Sequence, residues 1–126
     1  MTMIASRFAA AAALSLAFSV PTVAQAPRQT VLVWNFGFAP KPISLAAGRP
    51  VTLTFQNRSA HNHDFTARAF FAYSRILAGA APGGEIDLGP YQTKSITLVP
   101  RAGAYPAHCS HFLHAQLGMT DTIYVY

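Results

Sequence analysis

Gly103-Ala-Tyr-Pro-Ala-His-Cys109-Ser-His-Phe-Leu-His114-Ala-Gln-Leu-Gly-Met119 holds the chain's one cysteine, three of its five histidines and one of its three methionines. The other histidines, His61 and His63, lie far upstream and almost adjacent to each other. Thiolate, imidazole and thioether are soft to borderline donors, which suit copper better than calcium or magnesium. A trigonal site of two His and one Cys with a weak axial Met is the electron-transfer copper pattern, and it needs one more His from elsewhere. Strand parity sharpens this. If Tyr105 to Cys109 is extended, Tyr105, Ala107 and Cys109 share one face while Pro106 and His108 share the other. Tyr105 marks the first as the core face, so Cys109 sits at the inner end of a strand, where scaffold meets loop. Ser110 to Gly118 is that loop, and it returns His114 and Met119 over the same end. Gly118 supplies the backbone freedom for the return, and Thr120 onward re-enters the sheet.

At 126 residues the chain has room for one domain. Its opening lies outside that domain. Arg7 is followed by an apolar run from Phe8 to Val20, then by the small-residue sites Thr22-Val-Ala24 and Ala24-Gln-Ala26. The run is too short for a membrane span and reads as a secretory signal peptide over residues 1–24. Cleavage after Ala24 is favoured, because cutting after Ala26 puts Pro27 directly behind the scissile bond. Residues 25–126 are then the mature domain, of ordinary single-domain size. In an oxidising compartment such as the periplasm a single cysteine cannot pair within its own chain, and a metal thiolate is its expected state.

The net charge is +5, and loss of Arg7 leaves a basic excess of four. A modestly basic surface suits acidic redox partner proteins or anionic membrane surfaces. Nucleic acid is disfavoured, since the basic residues are scattered singly with no stripe and no recognition motif. A monomer is expected.

Upstream of the loop, short β-prone segments alternate with Pro and Gly punctuation. Thr30 to Phe36 is one strand, and Gly37 to Pro42 reads as a turn. Ile43 and Leu45 start the next strand, and Gly48-Arg-Pro50 turns again. Val51 to Asn57 alternates cleanly, with Val51, Leu53 and Phe55 inward. His61 to Thr66 follows a turn at Asn57 to Ala60. Ala67 to Ala78 spaces Phe70, Phe71, Tyr73, Ile76 and Leu77 as a helical face, which predicts a short helix there. Ile86 and Leu88, Thr93 to Val99, Tyr105 to Cys109, and Asp121 to Tyr126 complete the strands. The expected fold is all-β: seven or eight strands in an antiparallel Greek-key β-sandwich, with one short helix in mid-chain.

With these residues in place the chain resembles the cupredoxins, the family of plastocyanin, pseudoazurin and the copper domains of multicopper oxidases. Gly103-x-Tyr105-x-x-x-Cys109, then His114, then Gly118-Met119 and a terminal strand is similar to the family's closing motif. The spacing from His114 to Met119 matches plastocyanin. The longer gap from Cys109 to His114 resembles azurin or the oxidase domains, and His108-Cys109 with His114 and Gly118-Met119 is nearest the oxidase motif. Asn57-Arg-Ser-Ala-His-Asn-His63-Asp-Phe65 resembles the first-ligand segment, in which an Asn-ended strand precedes the His.

The resemblance implies one copper ion per chain, held by His63, Cys109, His114 and Met119. His61 is the rival of His63, and His111 the rival of His114. Phe65, Phe70, Phe71, Phe112 and Leu117 are candidates for the apolar shell. In oxidase domains both residues flanking the Cys are His and serve a neighbouring cluster. Here the second flanking residue is Ser110, so an oxidase centre is not expected. His108 points away from the site by parity, either as a surface residue or as an electron exit or weak second metal position. The implied function is an exported, periplasmic type 1 copper protein that transfers single electrons and is not an enzyme. The alternative is a copper chaperone or buffer, suggested by the surplus histidines.

Overall fold

The structure, a computed structural model, describes residues 2–20, 25–111, 114 and 116–126. The expected cleavage point after Ala24 and the shell candidate Phe112 lie outside the described residues. Residues 2–20 form no helix or strand and are exposed throughout.

Ten strands follow among the described residues: β1 (Arg28–Trp34), β2 (Gly37–Ala39), β3 (Ile43–Leu45), β4 (Val51–Asn57), β5 (His63–Thr66), β6 (Arg75–Ala78), β7 (Glu85–Leu88), β8 (Thr93–Val99), β9 (Gly103–His108) and β10 (Thr120–Val125). They form two five-stranded sheets, ordered β2-β1-β4-β8-β6 and β3-β10-β9-β5-β7. The expected two-sheet sandwich is therefore present. Its pairings are mostly antiparallel, but β1 with β4 and β3 with β10 run parallel. Those parallel pairs arise because the chain crosses between sheets at Pro40 to Pro42 and again near Gly48, so that neighbours in a sheet are not neighbours in sequence.

The alternation read in Val51 to Asn57 holds. Val51, Leu53 and Phe55 are buried between the sheets. On the opposite face Thr52 and Thr54 pair their hydroxyls with Thr97 (2.8 Å) and Ser95 (3.0 Å) of β8, which are cross-strand partners in the register. The centre of the core is aromatic. Phe65 lies against Phe38 edge-on at 5.2 Å and against Phe55 at 4.8 Å.

Two local expectations need correction. Gly37 to Ala39 is not merely a turn, since it forms β2 and buries Phe38. The predicted helix is also shorter: α1 spans Arg68–Tyr73. Ser74 ends it by directing both its N–H (3.1 Å) and its hydroxyl (2.7 Å) to the Phe70 carbonyl. Arg75–Ala78 then leaves as the edge strand β6, with Ile76 and Leu77 exposed. An edge strand is held by backbone pairing to one neighbour, so apolar spacing alone could not separate it from a helix.

One buried group opposes the fold. Asp121 on β10 is 4% exposed. Its Oδ1 accepts the Thr122 N–H at 2.7 Å, and Oδ2 finds no partner among the described residues. Burial raises its carboxyl to about 6, against the opposing pull of the Thr122 N–H and Lys41. Because the folded-state value lies above the unfolded one, the folded chain binds the extra proton between the two. The carboxylate's burial therefore costs stability as pH rises from the ordinary carboxylate range through about 6. Asp121→Asn is expected to raise the unfolding free energy of the metal-free protein by about 2 kcal/mol at pH 7.5, and by almost nothing at pH 4. Urea titrations at the two pH values check this, and an equal gain at both would refute the assignment.

Candidate metal centre

Three connections meet at one end of the sandwich: the β1–β2 turn at Asn35 and Phe36, the β4–β5 segment 58–62, and the β9–β10 loop. The second is built around Asn57, the last residue of β4, which is buried. Its amide nitrogen donates to the carbonyls of His61 (2.7 Å), Gly89 (2.9 Å) and Leu88 (3.3 Å). Its Oδ1 accepts from the N–H (3.0 Å) and hydroxyl (2.8 Å) of Ser59. The Asn that ends the alternating strand thus closes the turn that delivers His63 as the first residue of β5.

On the other side, Gly103 adopts φ +153°, and a Cβ there would meet the Tyr105 ring at 3.0 Å. That close approach lets the Tyr105 hydroxyl donate to the Arg101 carbonyl at 2.8 Å. The start of β9 is fixed in this way, and parity carries Cys109 inward: Tyr105, Ala107 and Cys109 are all buried. The loop closes on itself, since the Cys109 N–H donates to the Met119 carbonyl and the Met119 N–H to the His114 carbonyl, both at 3.0 Å. Gly118, at φ +102°, makes that return possible.

The result is a tight donor set. The Nδ1 atoms of His63 and His114 stand 3.9 and 3.4 Å from the Cys109 sulfur, and their ring centroids are 5.0 Å apart. Metal bonds of about 2.0 Å to nitrogen and 2.3 Å to sulfur, spread at about 120°, put N and S about 3.7 Å apart. The two distances lie on either side of that value, and all three donor atoms fall within 4.8 Å of one another, close enough for one ion to bridge them. Met119 is fully buried directly beyond Gly118 and is tied through its backbone to both Cys109 and His114.

No protein-family model matches the chain, and no curated protein matches it. Solved structures do. An auracyanin from the photosynthetic bacterium Roseiflexus castenholzii, reduced with Na-dithionite, is similar with a TM-score of 0.61 and 18% identity, over 82% of this chain and 99% of its own. Auracyanin B gives a TM-score of 0.56 and 21% identity, over 82% of this chain and 93% of its own. A multi-copper oxidase from Pseudomonas thermotolerans gives 0.63 and 15% over 80% of this chain, but over only 30% of its own length.

The fold is that of the cupredoxins.

Within this fold, electrostatics act on the candidate donors in opposite ways, holding His63 in the neutral form that can bind a metal and Cys109 in the thiol form that cannot. Burial, followed by the neighbouring imidazoles of His114, His111 and His61, lowers His63 to about 4, with Asp64 opposing. His63 is therefore neutral at ordinary pH. Its Nε2–H donates to Asn35 Oδ1 at 3.1 Å, which leaves the Nδ1 lone pair facing the sulfur. Burial pushes the Cys109 thiol up. Backbone hydrogen bonds from Asp64 and His111 oppose this, while the Asp64 and Glu85 carboxylates add to it. A cation between the donors reverses that balance, because a coordinated thiol ionises.

The rival histidines have places of their own. His61 is exposed, and its Nδ1 donates at 3.0 Å to the same Asn35 oxygen that holds His63. His111 stacks on His114 with centroids 5.5 Å apart. His108 ends β9 on the opposite parity, half-buried and outside the donor set. Of the shell candidates, Leu117 is exposed at the mouth, Phe65 is buried two residues along β5 from His63, and Phe70 and Phe71 belong to the core around Tyr105.

Two residues were missed in the sequence. Asn35 orients the His63 ring from the opposite sheet. Asp64, 1% exposed, accepts from the Ser110 N–H (2.9 Å) and the Thr66 hydroxyl (2.6 Å) on Oδ1, and from the Ser110 hydroxyl (2.5 Å) on Oδ2. It thereby ties β5 to the residue after Cys109. The only local signal was its position beside His63, in a chain with four acidic residues in all.

Proposed function

We propose that this chain is a copper protein that carries single electrons, holding one ion between His63, Cys109 and His114 with Met119 as the axial ligand. The observation that carries the reading is the donor set itself: two imidazole nitrogens and one sulfur close enough for one ion to bridge them, inside a cupredoxin fold. Copper bound there would supply a one-electron couple, with a potential set by the axial ligand and by the hydrogen bonds to the sulfur. The chain's own residues keep the donors still. Asn35 fixes the His63 ring, Asp64 and the Met119 carbonyl fix the backbone on either side of Cys109, and Asn57 fixes the approach to β5. A site that moves little between oxidation states suits electron transfer. Asn35, Phe36, His61, His111, His114 and Leu117 line an open cleft of about 430 Å³ above the donors, a surface on which a redox partner could approach His114.

No helix among the described residues is long and apolar enough to cross a membrane. With residues 1–24 as a signal peptide and 25–126 as the domain, the working location is the periplasm. A copper-buffering or delivery role is the second reading, favoured by the two further imidazoles, His61 and His111, that line the same cleft. Titration of the metal-free protein with Cu(II) separates the two. An intense visible thiolate-to-copper band that saturates at one ion per chain, with reversible voltammetry, is expected for the carrier. Several weakly held ions without that band would overturn it.

A further inference from the structure

Cys109 belongs to two groups of metal-binding atoms. The first is the inner set with His63 and His114. In the second, one Asp64 oxygen, the Cys109 sulfur and one His111 nitrogen also lie within 4.8 Å of one another. His111 Nε2 is 3.6 Å from Asp64 Oδ2. Among the described residues that oxygen accepts one hydrogen bond, from the Ser110 hydroxyl, which leaves a lone pair for an ion.

The two sets differ in access. His63 and Cys109 are each 1% exposed and His114 is half-buried, whereas the His111 side chain is 39% exposed. His111 also lines both clefts that open beside the donors, the one of about 430 Å³ and a neighbouring one of about 240 Å³. An ion arriving from solvent meets His111 before it meets the sulfur.

We propose that Asp64, Cys109 and His111 form an outer landing position for copper, from which the ion passes to the inner set without leaving the Cys109 sulfur. This rests on the reading of the inner set as a copper site. On landing, the thiol gives up its proton to solvent as the sulfur–metal bond forms. The bonds to Asp64 and His111 are then exchanged for bonds to His63 and His114, and the oxidation state does not change. The stacked His111 and His114 rings stand on either side of that step. The inner set prevails at equilibrium for two reasons: it offers a second imidazole where the outer set has a carboxylate, which suits copper less well, and Asp64 is already engaged by Ser110 and Thr66.

Anaerobic stopped-flow mixing of the metal-free protein with Cu(II), followed in the visible, tests this. The wild-type chain is expected to show a transient absorbance that decays into the final intense band. His111→Ala should lose the transient and reach the final band at least tenfold more slowly. His61→Ala, which removes an imidazole from the same cleft but not from the outer set, should load at the wild-type rate. Wild-type loading by His111→Ala would overturn the landing position, and so would equal slowing by both variants. If the wild-type chain forms no intense band at all, the copper reading falls first and the landing position falls with it.

Discussion

A Cys109→Ser chain is expected to fold, to lose the intense visible band completely and to bind copper at least about 100-fold more weakly. The sulfur is the donor common to both groups of candidate metal-binding atoms: 3.9 Å from His63 and 3.4 Å from His114 in the inner set, and grouped with Asp64 and His111 in the outer one. A serine hydroxyl fits the same space but ionises far less readily and is a harder donor, so both the charge-transfer absorption and the affinity for copper go with it. The fold should survive, because the Cys109 backbone is held by the Met119 carbonyl and the Ser110 N–H by Asp64, neither through the sulfur. A buried hydroxyl in place of the thiol costs about 1–3 kcal/mol if unpaired. Absorption spectra and competition against a copper chelator check both parts. Persistence of the colour would remove Cys109 from the site.

The second large effect concerns stability. Asn57→Ala is expected to lower the unfolding free energy by at least about 3 kcal/mol, since it deprives several buried or half-buried partners of their bonds at once. The Ser59 N–H and hydroxyl lose the Oδ1 acceptor, and the carbonyls of His61, Leu88 and Gly89 lose the amide donor, with His61 still reached by the Ser59 hydroxyl (3.2 Å) and Gly89 by the Gln92 N–H (3.1 Å). Because those bonds shape the segment leading to His63, copper affinity should fall by about 10–100-fold even where the variant remains folded. Asn57→Asp keeps the acceptor but sets a buried carboxylate oxygen against the three carbonyls, and should cost at least as much as alanine at neutral pH. Denaturant midpoints and chelator competition give the two readouts. A loss under 1 kcal/mol for the alanine variant would show that the loop is held by other means.

The parts of this arrangement that were legible in the sequence are those governed by local periodicity or by a motif. Alternation placed Val51, Leu53 and Phe55 inside, and the same parity turned Cys109 inward beneath Tyr105. Gly118 could be read as the return of the loop because few other residues adopt its backbone angle. The parts that were illegible depend on contacts between distant residues. Asn35 reaches His63 across 28 positions and Asp64 reaches Ser110 across 46, and neither contact leaves a periodic trace. Strand β6 was hidden for a different reason: its apolar residues continue the spacing of α1, and only the Ser74 bonds to the Phe70 carbonyl reveal where the helix stops.

Strand β10 joins the donor loop to the far end of the molecule. It runs without interruption from Thr120, next to Met119, to Val125, and Tyr126 is then pinned by a bond from its N–H to the Leu45 carbonyl and another from the Ala47 N–H to its own carbonyl. Six extended residues span about 20 Å. A protein tethered to an electrode through an extension at Tyr126 would therefore present its donor cluster to the solution and not to the metal surface. On the electron-carrier reading, tunnelling across the length of the sandwich would be slow, while a soluble partner arriving at the loop end would meet the donors directly.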